Sequence, residues 1–310
     1  MTLILGLHAR TIAAAVLYAV AYGASLAWLS RGGGFDPGEA LTGLIVFGLG
    51  FSAIAWTATT GITPYSTPVR DATRETGAIL GYLVLFALIV LGPGLSWVKD
   101  AAPDGRIEEV AILAFKLVTM VALPAWLFTR LGVPWRELLR WSRFDRKLWR
   151  AFIIMAVLLL GLQLVAGQGP KTIAALDAPL WLIALGVPLC FIWMTLEAGL
   201  TEEFLFRVLL QTRLSAWLRS GVAGIVAMAL LFGLAHAPGY VLRGSHLMEG
   251  MASAPDPLTA AAYSIAVVSP IGLMFGVLWA RTRSLLLVVL LHGWTDLVPN
   301  LAPFVRTWLV

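Results

Sequence analysis

The chain has 310 residues, 59% of them hydrophobic and only 13% charged, about half the charged share of a soluble domain. With a mean hydropathy of +0.87, the apolar surplus needs lipid as solvent, which excludes an ordinary soluble domain. A net charge of +5 raises the question of nucleic acid, but the basic residues fall mostly between apolar runs, as in a membrane protein, and that excludes nucleic acid as a partner.

A single cysteine, Cys190, rules out an internal disulfide and every C-x-x-C zinc spacing. In the run LGVPLCFIWM it reads as a small core thiol. At the start, the apolar stretch after Arg10 runs to about 20 residues, longer than the 7–15 of a signal-peptide core. It reads as a retained first span.

In chain order, apolar segments fall at 11–30, 40–61, 76–98, 109–129, 149–168, 179–199, 200–218, 221–237, 259–280 and 284–302. The pair 179–199 and 200–218 reads either as one long bent helix or as a span beside a re-entrant piece broken near Gly199–Thr201. The fold class is all-α: a polytopic transmembrane helical bundle with about 8–9 spans. Two G-x-x-x-G pairs, Gly77/Gly81 and Gly272/Gly276, allow close helix approach, within the monomer rather than between copies.

The loops orient the bundle. Residues 130–150 hold seven basic and two acidic side chains, which places this loop in the cytoplasm. Counting spans from it puts the N-terminus, Arg70 and Arg74 inside as well, and the acidic loop 99–109 outside. If the ambiguous pair crosses once, Arg213, Arg219, Arg281 and Arg283 are also cytoplasmic, and the loop 238–258 lies outside. The stretch WRELLRWSRF reads as an interfacial helix on anionic headgroups.

Few ionisable groups interrupt the spans: Glu197, Glu202, Glu203, Arg207, His236, His292 and Asp296, with Lys116 alone in the fourth. Such groups face the bundle interior or a wet cavity and mark function by default. Glu203 and Arg207 are four apart, meet on one helix face and neutralise each other, which frees Glu202. Glu197, five positions before Glu202, falls about 140° away on a regular helix and should not share its face. Helix rise puts Glu202 about 25 Å from the Arg219 end, His236 about 22 Å from Gly221, and His292 and Asp296 about 14 and 20 Å from Arg283. The depths overlap. A carboxylate in an apolar pocket can serve as general base, and histidines can hold water or donate to an oxyanion. Read singly, each motif has a plainer account: Thr201 as a helix N-cap ahead of two acids, His236 as a helix end before Pro238, His292 and Asp296 as a structural pair.

EEFLFR at 202–207, FGLAH at 232–236 and HGWTD at 292–296 resemble the E-E-x-x-x-R, F-x-x-x-H and H-x-x-x-N/D motifs of the CAAX protease and bacteriocin-processing (CPBP, or ABI) family, best known for type II CAAX prenyl endopeptidases. The resemblance covers about 180–302. It implies a core at 179–302, with 1–178 as N-terminal transmembrane helices of the same membrane domain. It further implies an intramembrane glutamic endopeptidase. Glu202 would activate water, His236 would hold that water, and His292 with Asp296 would form the oxyanion site. Glu203 and Arg207 would brace them, with Phe232 in support. In the prenyl endopeptidases the last motif ends in asparagine; an ionised Asp296 could not donate, so it must be protonated or must orient His292. The expected partners are a membrane-anchored or membrane-embedded protein or peptide and the lipid bilayer, with no cofactor or metal. The expected location is a bacterial inner membrane with the N-terminus cytoplasmic, and the loop 238–258 would gate entry. Standing beside this reading are a zinc protease ligated by Glu202, His236 and His292 without an H-E-x-x-H, a proton-coupled transporter, and a non-catalytic immunity or scaffold protein.

Overall fold

The computed structural model describes residues 2–31, 35–65, 67–102, 105–139, 144–243 and 255–310. Among the described residues there is no strand, and nine helices are long and apolar enough to cross a membrane. They are α1 (Ala9–Leu29), α2 (Pro37–Ala58), α3 (Ala72–Ala101), α4 (Gly105–Arg130), α5 (Arg146–Ala166), α6 (Leu180–Trp217), α7 (Gly221–Leu242), α8 (Pro257–Thr282) and α9 (Leu285–Trp308). This is the all-α polytopic bundle expected of an integral membrane protein. Several helices outrun their apolar runs because polar residues cap them. Asp36, Asp71, Asp145, Asp256 and Ser284 each accept a backbone N–H at the start of α2, α3, α5, α8 and α9, each contributing about 1 kcal/mol to its helix.

The ambiguous pair is one helix. α6 runs unbroken for 38 residues. No break forms near Gly199 because that glycine packs directly on α9, where any Cβ would strike the Val289 carbonyl. The helix widens instead. From Thr195 to Leu200 and again from Glu203 to Gln211 its backbone takes the broader π-helical turn, with bonds from i to i+5. α7 likewise continues through Pro238, so His236 is not a helix end.

α8 and α9 are the most buried spans and form the centre. α7 packs on α8, and α6 packs on both α7 and α9. The N-terminal helices wrap this core: α1 lies on α7 and α8, α2 on α8, α3 on α6 and α7, α4 on α6 and α9, and α5 on α9. Gly272 and Gly276 serve the α7–α8 contact, close to Ala229, Phe232, Ile225 and Met228. Gly77 and Gly81 have nothing within 4 Å of a would-be Cβ, so the first of the two glycine pairs carries no close helix contact.

One end of the bundle collects cations. Lys147 donates to the Gly61 carbonyl at 2.6 Å, Arg150 to that of Thr60 at 2.6 Å, and Arg10 to that of Leu218 at 3.4 Å. Arg213 is buried against Glu75 at 3.0 Å, and Arg283 donates to the Thr212 hydroxyl at 2.8 Å. Glu75 also accepts the backbone N–H groups of Arg70 and Asp71, so this buried pair is well satisfied. At the other end Lys99 meets Glu108 at 3.1 Å. Of the expected interfacial helix, Trp135–Leu138 is helical and residues 140–143 lie outside the described residues. So do Asp104 of the acidic loop and most of the expected gate, 244–254.

Candidate active site

The middle of α6 carries the first motif. Thr201 is no cap: its hydroxyl donates back to the Glu197 carbonyl at 2.6 Å. Glu202 and Glu203 therefore stand in mid-span, where capping cannot explain them. Glu203 and Arg207 are fully buried. Arg207 Nε lies 3.3 Å from Glu203 Oε2, within ion-pair distance though not aligned as a hydrogen bond. The guanidinium sits 4.5 Å over the Phe232 ring and 5.7 Å from that of Phe275, and Nη1 approaches the Met228 sulfur at 3.1 Å. A planar, weakly hydrated cation suits this aromatic slot. Phe232 thus acts as a platform for Arg207, and its ring also meets His236 edge-on at 4.9 Å.

α9 brings the last motif to the same place. His292 Nδ1 lies 2.8 Å from Glu203 Oε1. Glu203 already faces Arg207, so it is the acceptor and Nδ1 carries the hydrogen. The other nitrogen, Nε2, stands between two carboxylates: 3.7 Å from Glu202 Oε2 and 3.5 Å from Asp296 Oδ2. A bare nitrogen lone pair and two carboxylates cannot share that space without a proton among them. Asp296 lies on the Nε2 side, so the partner that orients the ring through Nδ1 is Glu203. The side chains of Glu202 and Asp296 are 15% and 30% exposed, against 0% for Glu203. The first two can meet water; the third cannot.

His236 comes from α7. Its Nδ1 is 2.8 Å from the Phe232 carbonyl. A carbonyl only accepts, so Nδ1 carries a hydrogen and Nε2 is the nitrogen left to meet other partners. The ring is near enough to Glu202 to bear on its charge. Trp294 Nε1 donates to the Ala156 carbonyl at 2.9 Å and ties α9 to α5. Gln163 of α5 adds a second tie, donating to the Thr295 carbonyl at 2.6 Å.

Two residues join the cluster that motif spacing leaves out. Lys116 of α4 donates to Glu197 Oε1 at 2.6 Å; Lys116 lies within electrostatic reach of Glu202 and Asp296, and Glu197 within reach of Asp296. Glu197 lies in the wide turn of α6, Thr195–Leu200, and joins the cluster through Lys116. The intramembrane positions of Lys116 and Glu197 were the available signals, and the two lie 81 residues apart. Among the described residues no group of three or more His, Cys, Asp or Glu side chains is arranged to hold a metal ion.

The fold and this cluster define a class: a polytopic helical membrane protein whose ionisable side chains meet inside the bundle. Residues 184–298, from α6 to α9, match the family described as Type II CAAX prenyl endopeptidase Rce1-like, and the resemblance carried by the three motifs holds over that stretch. Comparison with curated proteins and with solved structures returns no match.

Proposed function

We propose that the protein is an intramembrane glutamic endopeptidase that hydrolyses a peptide bond in a membrane-anchored or membrane-embedded protein or peptide. The observation that carries this reading is the convergence of Glu202 and Asp296 on one nitrogen of His292, whose other nitrogen is held by the buried Glu203–Arg207 pair.

Glu202 takes a proton from water, which is held by the free Nε2 of His236. The resulting hydroxide attacks the scissile carbonyl carbon. The carbonyl oxygen becomes an oxyanion and accepts a hydrogen bond from His292 Nε2–H, with Asp296 beside it. Glu202 then passes its proton to the leaving amine as the C–N bond breaks. Glu203 and Arg207 touch no reacting atom; Glu203 accepts from Nδ1–H and holds the His292 ring as the imidazolium, whose Nε2–H can then donate. The domain division at 178/179, the cytoplasmic N-terminus and the inner-membrane location belong to the same proposal, and the cationic end of the bundle supports the orientation.

The test is cleavage of a library of membrane-anchored peptides in proteoliposomes, scored by mass spectrometry. Wild type is compared with Glu202→Gln, each with and without chelator. Glu202→Gln keeps shape and removes the base, so the expected loss is at least about 100-fold. Equal cleavage by both proteins removes Glu202 from the chemistry. Loss of wild-type cleavage with chelator replaces the glutamic mechanism by a metal-dependent one.

A further inference from the structure

Lys116 lies outside the matched segment and outside the mechanism above, yet its ammonium ends in the site. The residue is 11 positions into α4 from Gly105, about 16 Å along the helix axis. A lysine this deep in a span is costly unless paired. Lys116 turns inward: the Gly105–Lys116 stretch packs on both the Thr195–Leu200 turn of α6 and on α9, and Nζ reaches Glu197 Oε1 at 2.6 Å.

The charges explain why a cation belongs here. Three carboxylates gather around His292, those of Glu202, Glu203 and Asp296, and a fourth, Glu197, lies within electrostatic reach of Asp296. Arg207 answers Glu203. Of the other three, Glu197 is paired with Lys116, and Glu202 and Asp296 both feel the Lys116 charge, Glu202 sharing that of Arg207 as well. Glu109 from its own helix adds further negative charge beside Lys116, and Glu197, Glu202 and Asp296 face Lys116 from α6 and α9. Without Lys116, like charges crowd one ring nitrogen, and either the carboxylates separate or one of them takes up a proton that the chemistry does not want there.

We infer that Lys116 is a positioning residue of the active site: it pins Glu197 and supplies the cation that lets Glu202 and Asp296 stand together around His292. This inference deepens the peptidase reading and rests on it. The N-terminal helices then complete the chemistry as well as surround it.

Four full-length variants test it: Lys116→Met, Lys116→Arg, Glu197→Gln and the double Lys116→Met/Glu197→Gln. Two readouts are taken from each. One is kcat and KM on a peptide cleaved by wild type. The other is labelling of the cluster by a hydrophobic carbodiimide, which reacts with protonated carboxyl groups in apolar sites, mapped by mass spectrometry. Lys116→Met should lose roughly 10–100-fold in kcat with KM little changed, and should label more heavily at Glu197, Glu202 or Asp296. Lys116→Arg should keep most of the activity. The double variant, which removes the surplus carboxylate with its cation, should recover much of the loss and return to wild-type labelling. A lysine needed only for packing gives no such recovery. The inference is overturned if Lys116→Met matches wild type in both readouts, if arginine serves no better than methionine, or if the double variant is as impaired and as heavily labelled as the single. Should wild type cleave nothing that Glu202→Gln does not, the peptidase reading fails separately; unchanged labelling in Lys116→Met then refutes the charge role, and raised labelling retains it.

Discussion

His292 has a neighbour committed to each nitrogen, and the quality of one commitment depends on Arg207. The Glu203 carboxylate has no solvent and faces only that guanidinium and the imidazole. Removing one partner of a buried pair strands the other, at a cost of about 3–5 kcal/mol. Arg207→Met should therefore lower the unfolding midpoint in detergent strongly, while Arg207→Met/Glu203→Gln should recover part of the loss. A single variant with unchanged stability would show that Glu203 is neutral as it stands. This pair was legible in the sequence because four residues on one helix fix their own neighbourhood. Lys116 and Glu197 were not, since nothing local links residues 81 positions apart.

At the scale of elements, the site exists because two helix backbones touch. Gly199 of α6 lies against the Val289 carbonyl, and a Cβ on Gly293 of α9 would stand 2.8 Å from Thr195 Cα. Backbone cannot swing aside as a flexible side chain can. Gly293→Ala should cost about 1–3 kcal/mol by overpacking and should depress kcat, since His292 is the adjacent residue. Gly77→Ala and Gly81→Ala meet open space and should be neutral within about 0.5 kcal/mol or slightly stabilising. Thermal unfolding of the three variants in one detergent checks the contrast; equal effects would mean that the α6–α9 contact is loose. The number of helices was readable from apolar length. Which glycines mattered was not, because both G-x-x-x-G pairs look alike until a neighbouring helix is placed.

For the whole molecule, the cationic end defines an orientation. Thr60, beside Lys147 and Arg150, is predicted to face the cytoplasm, and Asp100, beside the Lys99–Glu108 pair, the opposite side. The one native thiol, Cys190, is buried, so single engineered cysteines report cleanly. Asp100→Cys should react with a membrane-impermeant maleimide in intact cells, and Thr60→Cys only after the membrane is opened. The reverse pattern would invert the topology. The three motifs also marked the polar cluster from sequence, since helix rise alone brought them to overlapping depths. Of the first five helices the sequence marked only Lys116; how they pack on the core follows from no motif they carry.

The length of α6 has its own consequence. Thirty-eight residues extend about 57 Å at ~1.5 Å per residue, while the hydrocarbon layer is roughly 30 Å thick. So long a rod leans or overhangs, and its lean follows the thickness of the bilayer around it. Glu197, Glu202, Glu203 and Arg207 ride near its middle, and Arg213 fastens its far part to Glu75. A change in acyl-chain length therefore turns the rod about that fastening, and the depth at which the carboxylates sit becomes a property of the lipid as much as of the protein.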